Sequence, residues 1–218
     1  MAKKGKIDDS FLKKYGKNAR IRKEKTRGIR EYFLIICQGE KTEPNYFEKY
    51  KEKLHKNQIS IKTLVNPLNP TKLLEYAVKI IKKYSNSNIN YNFWLIFDKD
   101  DFTNQDFNDT IKNAKSQNIK CAYSNECFEL WYLLHFNYYD TSLSRKQYGE
   151  KLSEQLGLEY KKEDKTIFDK IYEKQQNAIR NSKKLYNSYN HNNIALENPS
   201  TNVFNLIEQL NKSLTINS

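Results

Sequence analysis

Tyr32-Phe33-Leu34-Ile35-Ile36-Cys37-Gln38-Gly39-Glu40-Lys41-Thr42-Glu43-Pro44 is the stretch that decides the fold. Its first six residues are an unbroken apolar run, rich in aromatic and β-branched side chains. A strand with one wet face would alternate apolar with polar. This run does not, so it predicts a parallel strand buried on both faces. Gln38 to Thr42 form a glycine-containing turn. Thr42-Glu43-Pro44 then predicts a helix start reaching about Leu54, with Thr42 as cap and proline in the first turn.

The same grammar repeats downstream. Ile59–Val65 alternates and predicts a second strand. Asn69-Pro70-Thr71 opens a helix with Leu73, Leu74, Ala77, Ile80 and Ile81 on one stripe. Phe93-Trp94-Leu95-Ile96-Phe97 is a third strand, ending at Asp98-Lys99-Asp100-Asp101. A helix near 104–117, a short strand over Ile119–Tyr123 and an apolar helix ending near Phe136 follow. Strands alternating with helices imply an α/β fold with a mostly parallel sheet and right-handed crossovers. Beyond about residue 140 strand signals fade, and helices are expected near 144–156, 167–188 and 201–214. The expected organisation is a flexible basic arm over 1–30, an α/β domain over 31–139, and a helical C-terminal region over 140–218 packed on it.

The 218-residue chain carries a formal net charge of +12, and nine of those charges fall in residues 1–30. A basic arm on a nearly neutral domain suits a polyanion, because each neutralised phosphate releases counterions. Arg20, Arg22, Arg27 and Arg30 are its candidate nucleic-acid contacts; a solvated tail kept for solubility is the competing reading. The three cysteines, Cys37, Cys121 and Cys127, have no Cys-x-x-Cys spacing, which supports neither a disulfide framework nor a zinc site. No apolar segment follows the basic N-terminus, and no apolar run approaches the ~18 residues of a membrane span. A cytoplasmic protein without membrane contact is the expectation. A Walker A sequence, a Gly-x-Ser-x-Gly elbow and a Cys–His nucleophile pair are all lacking.

In an open α/β sheet, ligands gather at the carboxyl ends of the strands. Two acidic clusters fall there: Glu40 and Glu43 in the turn after the first strand, and Asp98, Asp100 and Asp101 after the third. Hard carboxylate oxygens converging from two turns suit Mg²⁺ or Mn²⁺, although polar loop ends and helix caps have the same composition. Glu40, Asp98 and Asp100 are expected at the ends of adjacent parallel strands, with Gln38 beside them. Lys41 and Lys99 lie in the same turns and add cations for a phosphate backbone. Glu129, early in its helix, is either a site residue or a partner of the helix dipole. Ser124 and Asn125 are equally caps or ligands, and His135 reads as structural. Lys161, Lys162 and Lys165 flank Tyr160, a basic and aromatic mixture that can grip phosphates and stack bases, or form an ordinary solvated face.

Ile35-Ile36-Cys37-Gln38-Gly39-Glu40-Lys41-Thr42-Glu43-Pro44-Asn45-Tyr46-Phe47 resembles the opening motif of RloB-like proteins. The resemblance extends through Phe97-Asp98-Lys99-Asp100-Asp101, Tyr123-Ser124-Asn125, Cys127-Phe128-Glu129-Leu130-Trp131, Leu133-Leu134-His135-Phe136 and Asn198-Pro199-Ser200-Thr201. It covers about residues 31 to 210. RloB-like proteins are similar to the Toprim fold, which places a glutamate after the first strand and an Asp-x-Asp after a later one. The resemblance implies a metal-dependent nuclease in anti-phage defence, cleaving DNA or RNA (tRNA included). It also implies an ATPase partner of the RloA/AbiLi or SMC/ABC-like type. The implied catalytic set is Gln38, Glu40, Asp98, Asp100 and Glu129, and the implied Mg²⁺ or Mn²⁺ ligands are Gln38, Glu40, Asp98, Asp100 and Asp101.

Gln38 departs from that pattern, since the family carries Glu before the glycine. A neutral amide offers an oxygen but neither charge nor a base. Three readings stand: an introduced inactivating substitution, a naturally inactive member, or a site in which Glu40 or Glu43 takes over. The first is favoured, because Glu→Gln is the minimal way to silence a nuclease. A non-catalytic subunit that binds nucleic acid or docks on an ATPase is the alternative function.

Overall fold

A computed structural model of the chain describes residues 31–54, 59–85, 89 and 91–215. The basic arm over 1–30, with Arg20, Arg22, Arg27 and Arg30, lies outside the described residues. Strand β1 (Glu31–Cys37) leads to helix α1 (Thr42–Lys53), then β2 (Ile59–Val65), α2 (Pro70–Ser85), β3 (Tyr91–Asp98), α3 (Asn104–Ser116) and β4 (Lys120–Asn125). These strands are parallel and lie in the order β2-β1-β3-β4. The remainder is α4 (Glu129–Leu133), α5 (Arg145–Leu156), α6 (Ile167–Ile171), α7 (Gln175–Tyr186), the two-residue strand β5 (Ser200–Thr201) and α8 (Val203–Thr215).

The unbroken apolar runs are explained by the two faces they serve. Phe33, Ile35 and Cys37 of β1, with Trp94 and Ile96 of β3, face one core together with α1 and α4–α8. Leu34 and Ile36, with Leu95 and Phe97, face a second core under α2 and α3. The first core is aromatic: Tyr46 packs edge-on to Phe47, Phe128 and Phe168 at 5.0–5.7 Å between ring centres. Each such ring, fully buried, contributes roughly 1.5–3 kcal/mol. This core joins side chains from both sides of residue 139, so the helical C-terminal region shares the core of the sheet.

Several local expectations shift. Thr42 is the first residue of α1 and not its cap; Lys41 holds that place without a side-chain bond. The apolar helix expected to end near Phe136 stops as α4 at Leu133, and tighter turns carry the chain on through Phe136. The helix expected over 167–188 is broken by a 3-10 turn at Tyr172–Lys174, where Tyr172 packs on Phe168 and Tyr50. The fading of strand signals after residue 140 holds except at Ser200–Thr201, which pairs antiparallel with Ser124 and Asn125 of β4. Below that pairing, Asn202 replaces a strand. Its side chain accepts from the Tyr123 N–H at 2.7 Å and donates to the Cys121 carbonyl at 3.1 Å, while its own N–H donates to the Tyr123 carbonyl.

Among the described residues no helix is long and apolar enough to cross a membrane.

Candidate functional site

The chain moves outward from β1 in opposite directions, to β2 on one side and β3 on the other. That divergence leaves a crevice beyond their carboxyl ends, the usual ligand position in open α/β sheets. A cleft of about 600 Å³ lies there, lined from the β1–α1 turn by Gln38 to Glu43, from the β3 end by Asp98 and Asp100, and further by Cys127, Glu129, Arg145 and Lys162.

Parallel pairing of β1 with β3 brings Gln38 beside Asp98. The Gln38 N–H donates to the Ile96 carbonyl at 2.8 Å, and its side-chain Oε1 accepts from the Asp98 N–H at 3.1 Å. Gln38 therefore joins the two strand ends through its amide oxygen, a bond that a glutamate would also make. Asp98 presents Oδ1 into a position sealed from solvent, with no hydrogen-bond partner.

Glu43 is the residue that the sequence named only as a stand-in. It occupies the first turn of α1 and is 4% exposed. Its carboxylate lies directly over Gly39, where a Cβ would collide with it. Burial pushes the Glu43 carboxyl up to about 7, and the neighbouring Glu129 adds to the rise against the pull of backbone N–H groups and Lys162. Burial also holds Asp98 well above the usual carboxylate range, with Glu43, Glu129 and Asp100 contributing in that order. Asp100, at φ 48°, is raised by burial and lowered by Arg145. Aspartate tolerates this left-handed conformation better than most residues. Glu129 is 2% exposed, accepts from Tyr160 Oη at 2.9 Å, and pairs with Lys162 Nζ at 3.3 Å. Burial draws the Lys162 ammonium down, and Glu129 more than offsets it.

The other candidates separate. Glu40 and Lys41 line the cleft mouth but are exposed, and Lys41 pairs with Glu163 at 3.5 Å. Asp101 points to solvent with its side chain 98% exposed, so it does not join the cleft carboxylates as expected of a ligand; the turn that buries Asp98 directs it outward. Lys99 donates to the Phe102 carbonyl, within its own turn. Of the 160–165 basic group, only Lys162 lines the cleft; Lys161 pairs with Glu159 at 3.1 Å and Lys165 is exposed. Ser124 and Asn125 are neither caps nor cleft-lining. Ser124 meets Thr201 at 3.0 Å, and the Asn125 amide donates to the Ala195 and Glu197 carbonyls. His135 is fully buried and bonded to the Trp131 carbonyl, a structural role. Arg145 joins the site without a local sequence signal, and Tyr160, read from the sequence as a base-stacking candidate, serves as the hydrogen-bond donor to Glu129.

The donor set is all oxygen and carries excess negative charge. Together with the orphaned Asp98 Oδ1, that chemistry fits a hard divalent cation. Among the described residues, no three His, Cys, Asp or Glu side chains yet converge closely enough to hold one. Glu43, Asp98, Asp100 and Glu129 ring the cleft instead of meeting at a point.

Gly39→Ala tests the Glu43 seat. The methyl group would meet only the far end of the Glu43 side chain. The variant is expected to fold at a cost of about 1–3 kcal/mol and to displace the carboxylate. Its melting temperature should then vary less between pH 5 and 8 than the parent's, as in Glu43→Gln; a pH response like that of the parent would place Glu43 elsewhere.

Fold and site together define a class: an α/β protein with a carboxylate-ringed cleft at the switch point of a mostly parallel sheet. The chain belongs to the RloB-like protein family, whose model matches residues 33–210. No curated protein and no solved structure matches it.

Proposed function

We propose that this chain is a divalent-metal-dependent nuclease that hydrolyses phosphodiesters of DNA or RNA. The observation that carries the reading is the set of four carboxylates, Glu43, Asp98, Asp100 and Glu129, mutually repelling around one cleft. Such an arrangement is costly unless a cation offsets it. Bound Mg²⁺ or Mn²⁺ would supply charge stabilisation to the phosphoryl group and a hydroxide nucleophile. Asp98 and Asp100 would hold it from the β3 turn, with Glu43 and Glu129 from the opposite wall. Lys162, held by Glu129, offers a positive group for a substrate phosphate. The anti-phage setting and the RloA/AbiLi or SMC/ABC-like ATPase partner belong to this reading through the family resemblance.

One observation favours a second reading. Gln38 is neutral where the resemblance expects a carboxylate, which suits a non-catalytic nucleic-acid-binding or ATPase-docking subunit. The two separate in an assay of plasmid, single-stranded DNA and total tRNA with Mn²⁺. Gln38→Glu is expected to raise metal-dependent cleavage about 10²-fold, the lower end of what a positioned acid–base group supplies. Cleavage by neither form on any of the three substrates would move the assignment to the second reading. Equal cleavage by both would make Glu43 the carboxylate that serves at the end of β1.

A further inference from the structure

Arg145 is the first residue of α5, and its position is fixed by a capping box in which Ser144 and Gln147 bond reciprocally. Its guanidinium reaches back over the cleft and ion-pairs with Asp100. The same nitrogen lies 3.7 Å from Asp101, and Nε lies 3.8 Å from Glu126. One cation therefore faces three carboxylates from the turns after β3 and β4. The fit is electrostatic and not a matched fork, because Nε and Nη2 are sealed from solvent without a well-formed hydrogen bond. Of the other cleft lysines, Lys41 is turned away to Glu163 and Lys162 is paired with Glu129.

We propose that Arg145 is a built-in counter-cation: it holds Asp100 away from the position to which a divalent ion would draw it, and passes to a substrate phosphate when the ion binds. The inference rests on the reading of the cleft as a metal site. It accounts for the carboxylates ringing the cleft without converging, since Asp100 is held toward α5. A guanidinium is suited to both states. It keeps its charge at every physiological pH, it is weakly hydrated, and its planar fork matches a phosphodiester better than the poor geometry it has on Asp100. Removing it should therefore affect the two ligands in opposite directions, whereas a purely structural arginine would weaken both.

The test uses the full chain. Mn²⁺ is titrated calorimetrically without nucleic acid, and a single-stranded oligonucleotide is titrated by anisotropy with Ca²⁺ present. Arg145→Gln is expected to bind Mn²⁺ about fivefold more tightly, the effect of one charge at about 4 Å screened as in water, and the oligonucleotide about fivefold more weakly. Arg145→Lys, which keeps the charge and the fold, should bind Mn²⁺ like the parent and the oligonucleotide more weakly. Unchanged or weaker Mn²⁺ binding by Arg145→Gln, with Asp98→Asn still losing the ion, would overturn the counter-cation and leave the metal site standing. Unchanged oligonucleotide binding by Arg145→Lys would likewise overturn it. Absence of Mn²⁺ binding by the parent and by Arg145→Gln alike would remove the metal reading itself, and this inference with it.

Discussion

The metal-free protein is expected to melt about 5–10 °C lower at pH 8 than at pH 5, and millimolar Mg²⁺ or Mn²⁺ is expected to close most of that gap. The sign follows from Glu43. Its carboxyl is raised from 4.5 to about 7 by burial and by Glu129. The folded state thus holds a proton that the unfolded chain gives up earlier. The associated stability is fully present below about pH 4.5 and is lost as pH rises through 7. Between pH 5 and 8 the loss from this one group is on the order of 2–3 kcal/mol, and a chain of this size shifts by roughly 2–4 °C per kcal/mol. Asp98, also raised by burial and its neighbours, acts in the same direction. A divalent cation binds the deprotonated cluster, so it stabilises more at pH 8 than at pH 5. Glu43→Gln should narrow the gap in the absence of metal by raising the melting temperature at pH 8, leaving the share that Asp98 contributes. Scanning calorimetry at the two pH values, with and without metal, decides it: a flat profile for the parent, or a gap undiminished in Glu43→Gln, refutes the placement of a protonatable Glu43 in the cleft.

Asp98→Asn in a Gln38→Glu background is expected to lower Mn²⁺-dependent cleavage by ~10²–10⁴-fold, about 3–5 kcal/mol of barrier. Asp98 carries the orphaned buried oxygen, and its backbone is joined to Gln38. The amide keeps the size of the side chain and removes the charge that three other carboxylates surround. Because burying the Asp98 charge is unfavourable, the variant should fold at least as well as its parent. A loss of activity accompanied by unfolding would therefore not count as support. Single-turnover rates in saturating Mn²⁺ separate lost chemistry from lost metal affinity. Undiminished turnover in Asp98→Asn would be incompatible with the proposed mechanism.

How much of this was readable before folding depended on whether the information was local. The runs at Tyr32–Cys37 and Phe93–Phe97 announced buried parallel strands because both faces of each strand are covered. Their order placed Gln38 and Asp98 together without any coordinate. Glu43 was harder to read. In Thr42-Glu43-Pro44 an acidic residue at a helix start looks like a favourable dipole partner, and nothing local says that the turn folds its carboxylate inward over Gly39. Asp101 misled in the opposite way, since three acids in four residues look equivalent until the turn directs one outward. Arg145 had no signal, as it reaches the cleft only through the packing of α5. The break at Tyr172–Lys174 contains neither glycine nor proline, and aromatic packing overrides helix propensity there.

The edge of the sheet beyond β4 has a consequence for how copies of this chain meet in solution. An open edge strand is a template on which another molecule can continue the ladder, and chains with long apolar strands are prone to such growth. Here the Tyr123 N–H, the Tyr123 carbonyl and the Cys121 carbonyl are already engaged by Asn202, just below a strand only two residues long. Asn202, together with the Thr201 hydroxyl that also donates to the Tyr123 carbonyl, thus terminates the lattice of main-chain bonds here. It leaves an incoming strand too few free groups to nucleate on along this stretch, so the ladder cannot be continued at this edge of the sheet.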